Sequence, residues 1–186
     1  MNDNRSTATA MTSALHQITM SFSAEEDRLL LRMSTADKTE FRFWLTRRFV
    51  RVLWGALIKT IENEPDIRRA IQPAARKAVM AMEHQQAVGA SDFSRAHEAG
   101  HRDVTGESGP LLVTGGSVRP GKGKNGLTVL NLQTRGGPEV KLGLNKNLLH
   151  ALCRLLIDTT THAGWDLGLT VGDAGVLAPG DRTRVH

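Results

Sequence analysis

The residues whose types and spacing come nearest to a catalytic signature are His97, Glu98 and His101, which spell HEAGH. Two histidines four apart on a helix share a face and can hold zinc, and the glutamate between them then activates the metal-bound water of a hydrolase. That chemistry needs a helix. Gly100 falls inside the motif, the flanking DFSRA and RDVTGESG carry no amphipathic period, and Val104 stands where the extended motif has glycine. The match is read as a chance one in a linker, so no metal and no cofactor is expected. Gly116–Gly123, GSVRPGKG, is one residue short of a phosphate-binding loop: Gly123 occupies the place of the Ser or Thr that would hold magnesium. The stretch also leads into a strand rather than a helix. It reads better as a basic loop that offers Arg119, Lys122 and Lys124 to phosphate as a surface.

A third feature lies at two helix starts. Arg47 and Arg48 fall in the first turn of one predicted helix, and Lys146 takes the place of Arg47 in another. Cations there oppose the helix dipole at about 0.3–1 kcal/mol each. Either they point to solvent and the cost is tolerated, or they join the free backbone N–H groups in binding a phosphate or carboxylate. Arg42 and Trp44 lie on the sheet face opposite Phe41, Phe43 and Leu45, near Arg28 and Arg32. There Trp44 is expected either to stack on a base or to be covered by the connector helix. No paired acids, Ser/His/Asp set or activated cysteine emerges, since the single cysteine, Cys153, falls on an apolar helix face. Non-catalytic binding is the expectation.

The elements that must position these residues come in two similar sets. Residues 28–60 align without a gap on residues 127–159, with identities at Leu31/Leu130, Thr35/Thr134, Glu40/Glu139, Leu45/Leu144, Leu53/Leu152, Leu57/Leu156, Ile58/Ile157 and Thr60/Thr159. In the first set, period-2 alternation predicts strands at Ile18–Phe22, Arg28–Ser34 and Glu40–Leu45, then a helix capped by Thr46 and running to about Asn63. In the second, strands are expected at Leu111–Thr114, Leu127–Thr134 and Glu139–Leu144, before a helix capped by Asn145. The polar residues of the first helix form a narrow stripe, Arg48, Arg51, Gly55, Lys59 and Glu62, matched by Asn147, His150, Arg154, Asp158 and Thr161 in the second. Each helix therefore has more apolar surface than one sheet covers, and the two are expected to bury most of their circumference, Val52, Trp54, Ala151 and Cys153 included.

These patterns predict an α+β fold: an internal duplication of a three-stranded antiparallel meander plus a long helix, pseudo-twofold. The divisions are a tail at 1–16, a first repeat at 17–62, a helical connector at 63–88 restarted at Pro73, a linker at 89–110, a second repeat at 111–162 and a C-terminal tail at 163–186 anchored by Trp165 and Leu167. The chain has 186 residues, a formal net charge of +5 and a sequence pI near 9.9. That balance favours acidic partners, nucleic acid or an acidic protein surface, while the low aromatic content argues against an extended base-stacking platform. No signal-peptide core or membrane-spanning run is present, and one cysteine permits no internal disulfide, so a cytoplasmic location is expected.

The stretch DRLLLRMSTADKTEFRFWLTRRFVRVLW, the HQQAV and DFS segments and LLHALCRLL resemble an uncharacterised family of proteobacterial proteins, across most of residues 17–162. The resemblance implies no function. In element order, paired meander-and-helix units are similar to Whirly and PUR-alpha single-stranded nucleic-acid-binding proteins, which use four strands per unit where three are counted here. The leading expectation is a binding protein for nucleic acid or a nucleic-acid-associated assembly. A protein-binding adaptor using apolar helix faces, with a possible homo-oligomer, is the alternative, and a zinc hydrolase through HEAGH stands third.

Overall fold

The computed structural model describes residues 15–90, 102–103, 109–121, 126–137 and 139–172. Two antiparallel meanders build an α+β fold. The first comprises β1 (Leu15–Ser23), β2 (Arg28–Thr35) and β3 (Thr39–Leu45), and the second β5 (Leu111–Arg119), β6 (Thr128–Thr134) and β7 (Val140–Leu144). A two-residue strand, β4 (Arg102–Asp103), lies beside β3. The meanders join through a short parallel contact, Phe43 opposite Leu111 and Trp44 opposite Leu112, giving one mixed sheet in the order β1-β2-β3-β5-β6-β7. The sheet curls enough for its end strands, β1 and β7, to approach one another.

Strict alternation selects the inner face. Leu29, Leu31, Met33, Phe43 and Leu45 are wholly buried, and Leu130, Leu132, Leu142 and Leu144 continue the same core in the second meander. Two long helices cover that face. α1 (Arg47–Glu62) follows β3 and packs on β5, and α4 (Lys146–His162) follows β7 and packs on β1. Each helix leaves its own meander to cover the other. Both start as their sequences predict: the Thr46 hydroxyl accepts from the Phe49 N–H at 3.2 Å, and the Asn145 side chain accepts from the Leu148 N–H at 2.9 Å. α2 (Pro65–Arg68) and α3 (Pro73–Gly89) form the connector, each opened by a proline that needs no N–H partner in a first turn, and α3 lies chiefly along α4.

Two expectations are corrected. The strand beginning at Leu111 does not stop at Thr114 but runs through Gly115 and Gly116 to Arg119. Gly116 is there because the backbone of β6 comes too close for a side chain: a Cβ on it would sit 2.4 Å from the Asn131 carbonyl oxygen. A register shift between Val113 and Gly115 marks a bulge just before it. The segment expected to be linker throughout also contributes β4.

The C-terminal stretch returns to the first hairpin. Trp165 is buried, donates its indole N–H to Asp27 at 3.0 Å and meets Phe22 edge-on. Because each long helix has one side-chain cap, Thr46→Ala and Asn145→Ala should each lower the unfolding free energy by about 1 kcal/mol. Urea titration measures this, and Ser at either position should restore the stability.

Candidate anion-binding surface and a buried histidine cluster

The first turn of α1 contains no acid. Arg47, Arg48, Arg51 and Lys59 are all exposed, and among the described residues none of the four is engaged in an ion pair or side-chain hydrogen bond. At 1.5 Å per residue, Arg48 to Lys59 spans roughly 16 Å along one side of the helix. Nothing among the described residues covers it: Gly55 opens to free space and Val52 is 66% exposed. Here the expectation that both helices bury most of their circumference is corrected. Ala151 and Cys153 are buried and Trp54 is half-buried against the core, but Val52 faces water. The asymmetry follows from the connector, which packs chiefly on α4, burying His150 there, and leaves the outer side of α1 bare.

Lys146, the counterpart of Arg47, is in a different situation. Its ammonium donates to Glu83 on α3 and lies 3.3 Å from Glu64, just before α2. Burial alone would lower its pKa, but the two carboxylates outweigh that and raise it. Burial raises the pKa of Glu64, with the Lys146 charge opposing. Two carboxylates match one cation here, so Lys146 does not join Arg47 and Arg48 as a free positive charge.

Beside that trio lies a pair of histidines that the spacing of polar residues does not reveal. His150 falls on the expected polar stripe of its helix yet is fully buried, because α3 brings His84 against it. The two Nδ1 atoms are 3.1 Å apart and the rings 5.3 Å apart. The His150 Nε2 has no hydrogen-bond partner and lies 3.8 Å from a Glu64 oxygen. A carboxylate on that side favours the tautomer protonated at Nε2, so His150 Nδ1 accepts and His84 Nδ1–H donates. Desolvation lowers both pKa values, that of His150 to about 4, helped by the charges of His84 and Lys146. One helical turn on, the buried Cys153 thiol is pushed up to about 12 by burial and Glu64, which keeps it protonated and a poor nucleophile. Among the described residues, no group of three or more His, Cys, Asp or Glu side chains could hold a metal ion.

The remaining predicted residues are scattered. Arg42 is paired with Asp103 of β4, and its Nε is buried without a partner. Trp44 is half-buried on the outer face of the sheet, away from α3, which packs against α4 and α1. Cover by the connector helix is therefore not what buries it. Arg119 is exposed at the end of β5. Lys122, Lys124, His97, Glu98 and His101 lie outside the described residues.

The histidine pair makes stability depend on pH with a definite sign. Both folded-state pKa values lie below the ordinary 6.5, so the unfolded chain binds protons first. Stability contributed by the neutral pair is complete above pH 6.5 and declines as pH falls towards 4; for His150 alone the loss is on the order of 2 kcal/mol by pH 5. Glu64, with its raised pKa, acts in the opposite sense, so the test is a comparison. Urea midpoints of the wild type should fall from pH 7.5 to 5, and His150→Asn should be less stable at pH 7.5 and show a smaller fall.

No protein family, curated protein or solved structure matches the chain, so neither the resemblance to a proteobacterial family nor the likeness in element order to Whirly and PUR-alpha proteins gains support from them.

Proposed function

We propose that this is a non-catalytic binding protein that engages nucleic acid as a polyanion through the exposed side of α1. The observation that carries this reading is that Arg47, Arg48, Arg51 and Lys59 share one bare helix surface with no acid in the first turn and no ion pair among the described residues. Cations grouped in the first turns of a helix with no acid beside them repel one another and oppose the dipole; an incoming row of phosphates relieves both effects. The charge balance of the whole chain points the same way. A cytoplasmic setting fits the lone buried thiol of Cys153.

The reading goes with an origin by internal duplication in pseudo-twofold form. Supporting it are the identical succession of three strands and a capped helix, the reciprocal packing of α1 on β5 and α4 on β1, and the burial of Leu31, Phe43, Leu53 and Leu57 alongside their counterparts Leu130, Leu142, Leu152 and Leu156. On this view one copy keeps its cations free, and the other has committed the equivalent position, Lys146, to holding the connector.

Binding should weaken steeply with salt, since each phosphate that the protein neutralises releases counterions. Affinity for an oligonucleotide is measured across salt concentrations by fluorescence anisotropy. Arg47→Ala/Arg48→Ala should reduce the slope of log affinity against log salt by about 1 for each phosphate that is no longer neutralised. Absence of binding at low salt rejects the reading, and an unchanged slope in the double variant moves the site away from α1.

A further inference from the structure

The outer face of the sheet, opposite the core, carries a row of apolar side chains that lie outside the core cluster of the described residues. Leu30 on β2, Trp44 on β3 and Leu112 on β5 are direct cross-strand neighbours. Their flanking residues, Leu29, Leu31, Phe43, Leu45, Leu111 and Val113, belong to the core, so alternation turns these three the other way. All three are half-buried rather than enclosed. With strands about 4.8 Å apart, the row is roughly 10 Å long and has an indole at its centre.

The charges around it are equally particular. Arg32 and Arg42 stand directly opposite each other on β2 and β3, one pair along from Leu30 and Trp44 on the same face. Like charges in that relation destabilise a sheet. Asp103 answers Arg42 and Glu26 answers Arg28, which leaves Arg32 as the unmatched cation of the three among the described residues. Arg47 and Arg48 follow Trp44 by three and four residues, within roughly 15 Å along the chain, so the start of α1 lies past the end of β3 with Trp44 between it and the pair Arg32 and Arg42.

We infer that this row is a base-stacking platform and that the nucleic acid taken by the protein is single-stranded. The inference rests on the polyanion reading of α1 and adds the bases to it. An unpaired strand whose phosphates lie on Arg47, Arg48 and Arg32 can turn an exposed base onto the indole of Trp44, with Leu30 and Leu112 as apolar shoulders. A duplex cannot, because its bases are stacked on one another and its phosphates hold them off the surface. The platform is one-sided. Gly143 is the counterpart of Trp44 in the second meander, and there Leu127 closes over the glycine, its Cδ1 2.9 Å from where a Cβ would stand. Among the described residues the two meanders thus offer one such stacking position, so a short strand suffices.

The test compares three ligands with the same full-length protein at fixed low salt: a single-stranded oligonucleotide, the duplex of the same sequence and inorganic polyphosphate, which has charge but no bases. The single strand should bind tightest, and its binding should quench tryptophan fluorescence. Trp44→Leu should lose roughly five- to a hundredfold in affinity for the single strand, abolish most of the quenching and leave polyphosphate binding intact, the last also reporting that the variant is folded. Trp44→Phe, which keeps a ring, should fall between. Equal affinity for strand and duplex, or Trp44→Leu affecting both strand and polyphosphate alike or neither, overturns the stacking platform while leaving the cationic surface of α1 standing. Failure of the wild type to bind any of the three overturns that surface, and the platform with it.

Discussion

Everything in this molecule depends on an exchange: each long helix leaves its own meander and covers the other. Among the described residues the main-chain pairing between the two meanders is a short parallel contact, Phe43 with Leu111 and Trp44 with Leu112, too little by itself to fix their relative position. What fixes it is α1 on β5 and α4 on β1, with one apolar core running continuously beneath both. Neither meander has a complete core of its own. A helix-sheet interface that would ordinarily stabilise one unit here stabilises the junction between two.

From that exchange follows the unequal fate of the two helices. The connector has to travel from the end of α1 back to β5, and it does so along α4. It thereby buries one position of the polar stripe of α4, His150, while Asn147, Arg154, Asp158 and Thr161 stay exposed, and it leaves the whole stripe of α1 in water. His150, on the stripe, becomes internal against His84, and Lys146, in the first turn, stays exposed but is paired with Glu83 and Glu64. Arg47, Arg48 and Arg51 acquire none among the described residues. The two surfaces thus differ through their residues and, at His150 and Lys146, also through the partners that the connector brings.

The elements were legible in the sequence because their signals are local. Alternation in Phe41, Phe43 and Leu45 marks a strand whatever surrounds it, and Thr46 and Asn145 announce helix starts by a hydrogen bond made three residues away. Gly116 misled because the same residue type serves a loop and a strand pressed against its neighbour's backbone. The partners of His150 and Lys146 were beyond reach for a different reason. His84 and His150 are 66 residues apart, and a polar residue on a helical stripe looks alike whether water or another helix faces it. Trp44 could be assigned to the correct face but not to its neighbour Leu112, since that pairing exists only once the meanders are joined.

The packing of the last helix on the first strand also sets the order in which the chain can become a protein. More than a hundred residues separate β1 from α4, and Trp165, which anchors the first hairpin through Asp27, comes later still. At ordinary rates of synthesis that interval is on the order of ten seconds. Throughout it Ile18, Met20 and Phe22, all packed against the finished core, have no helix to lie beneath. The first hairpin is thus made long before it is completed, and in that interval the ribosome-bound chain presents an apolar strand that α4 later covers.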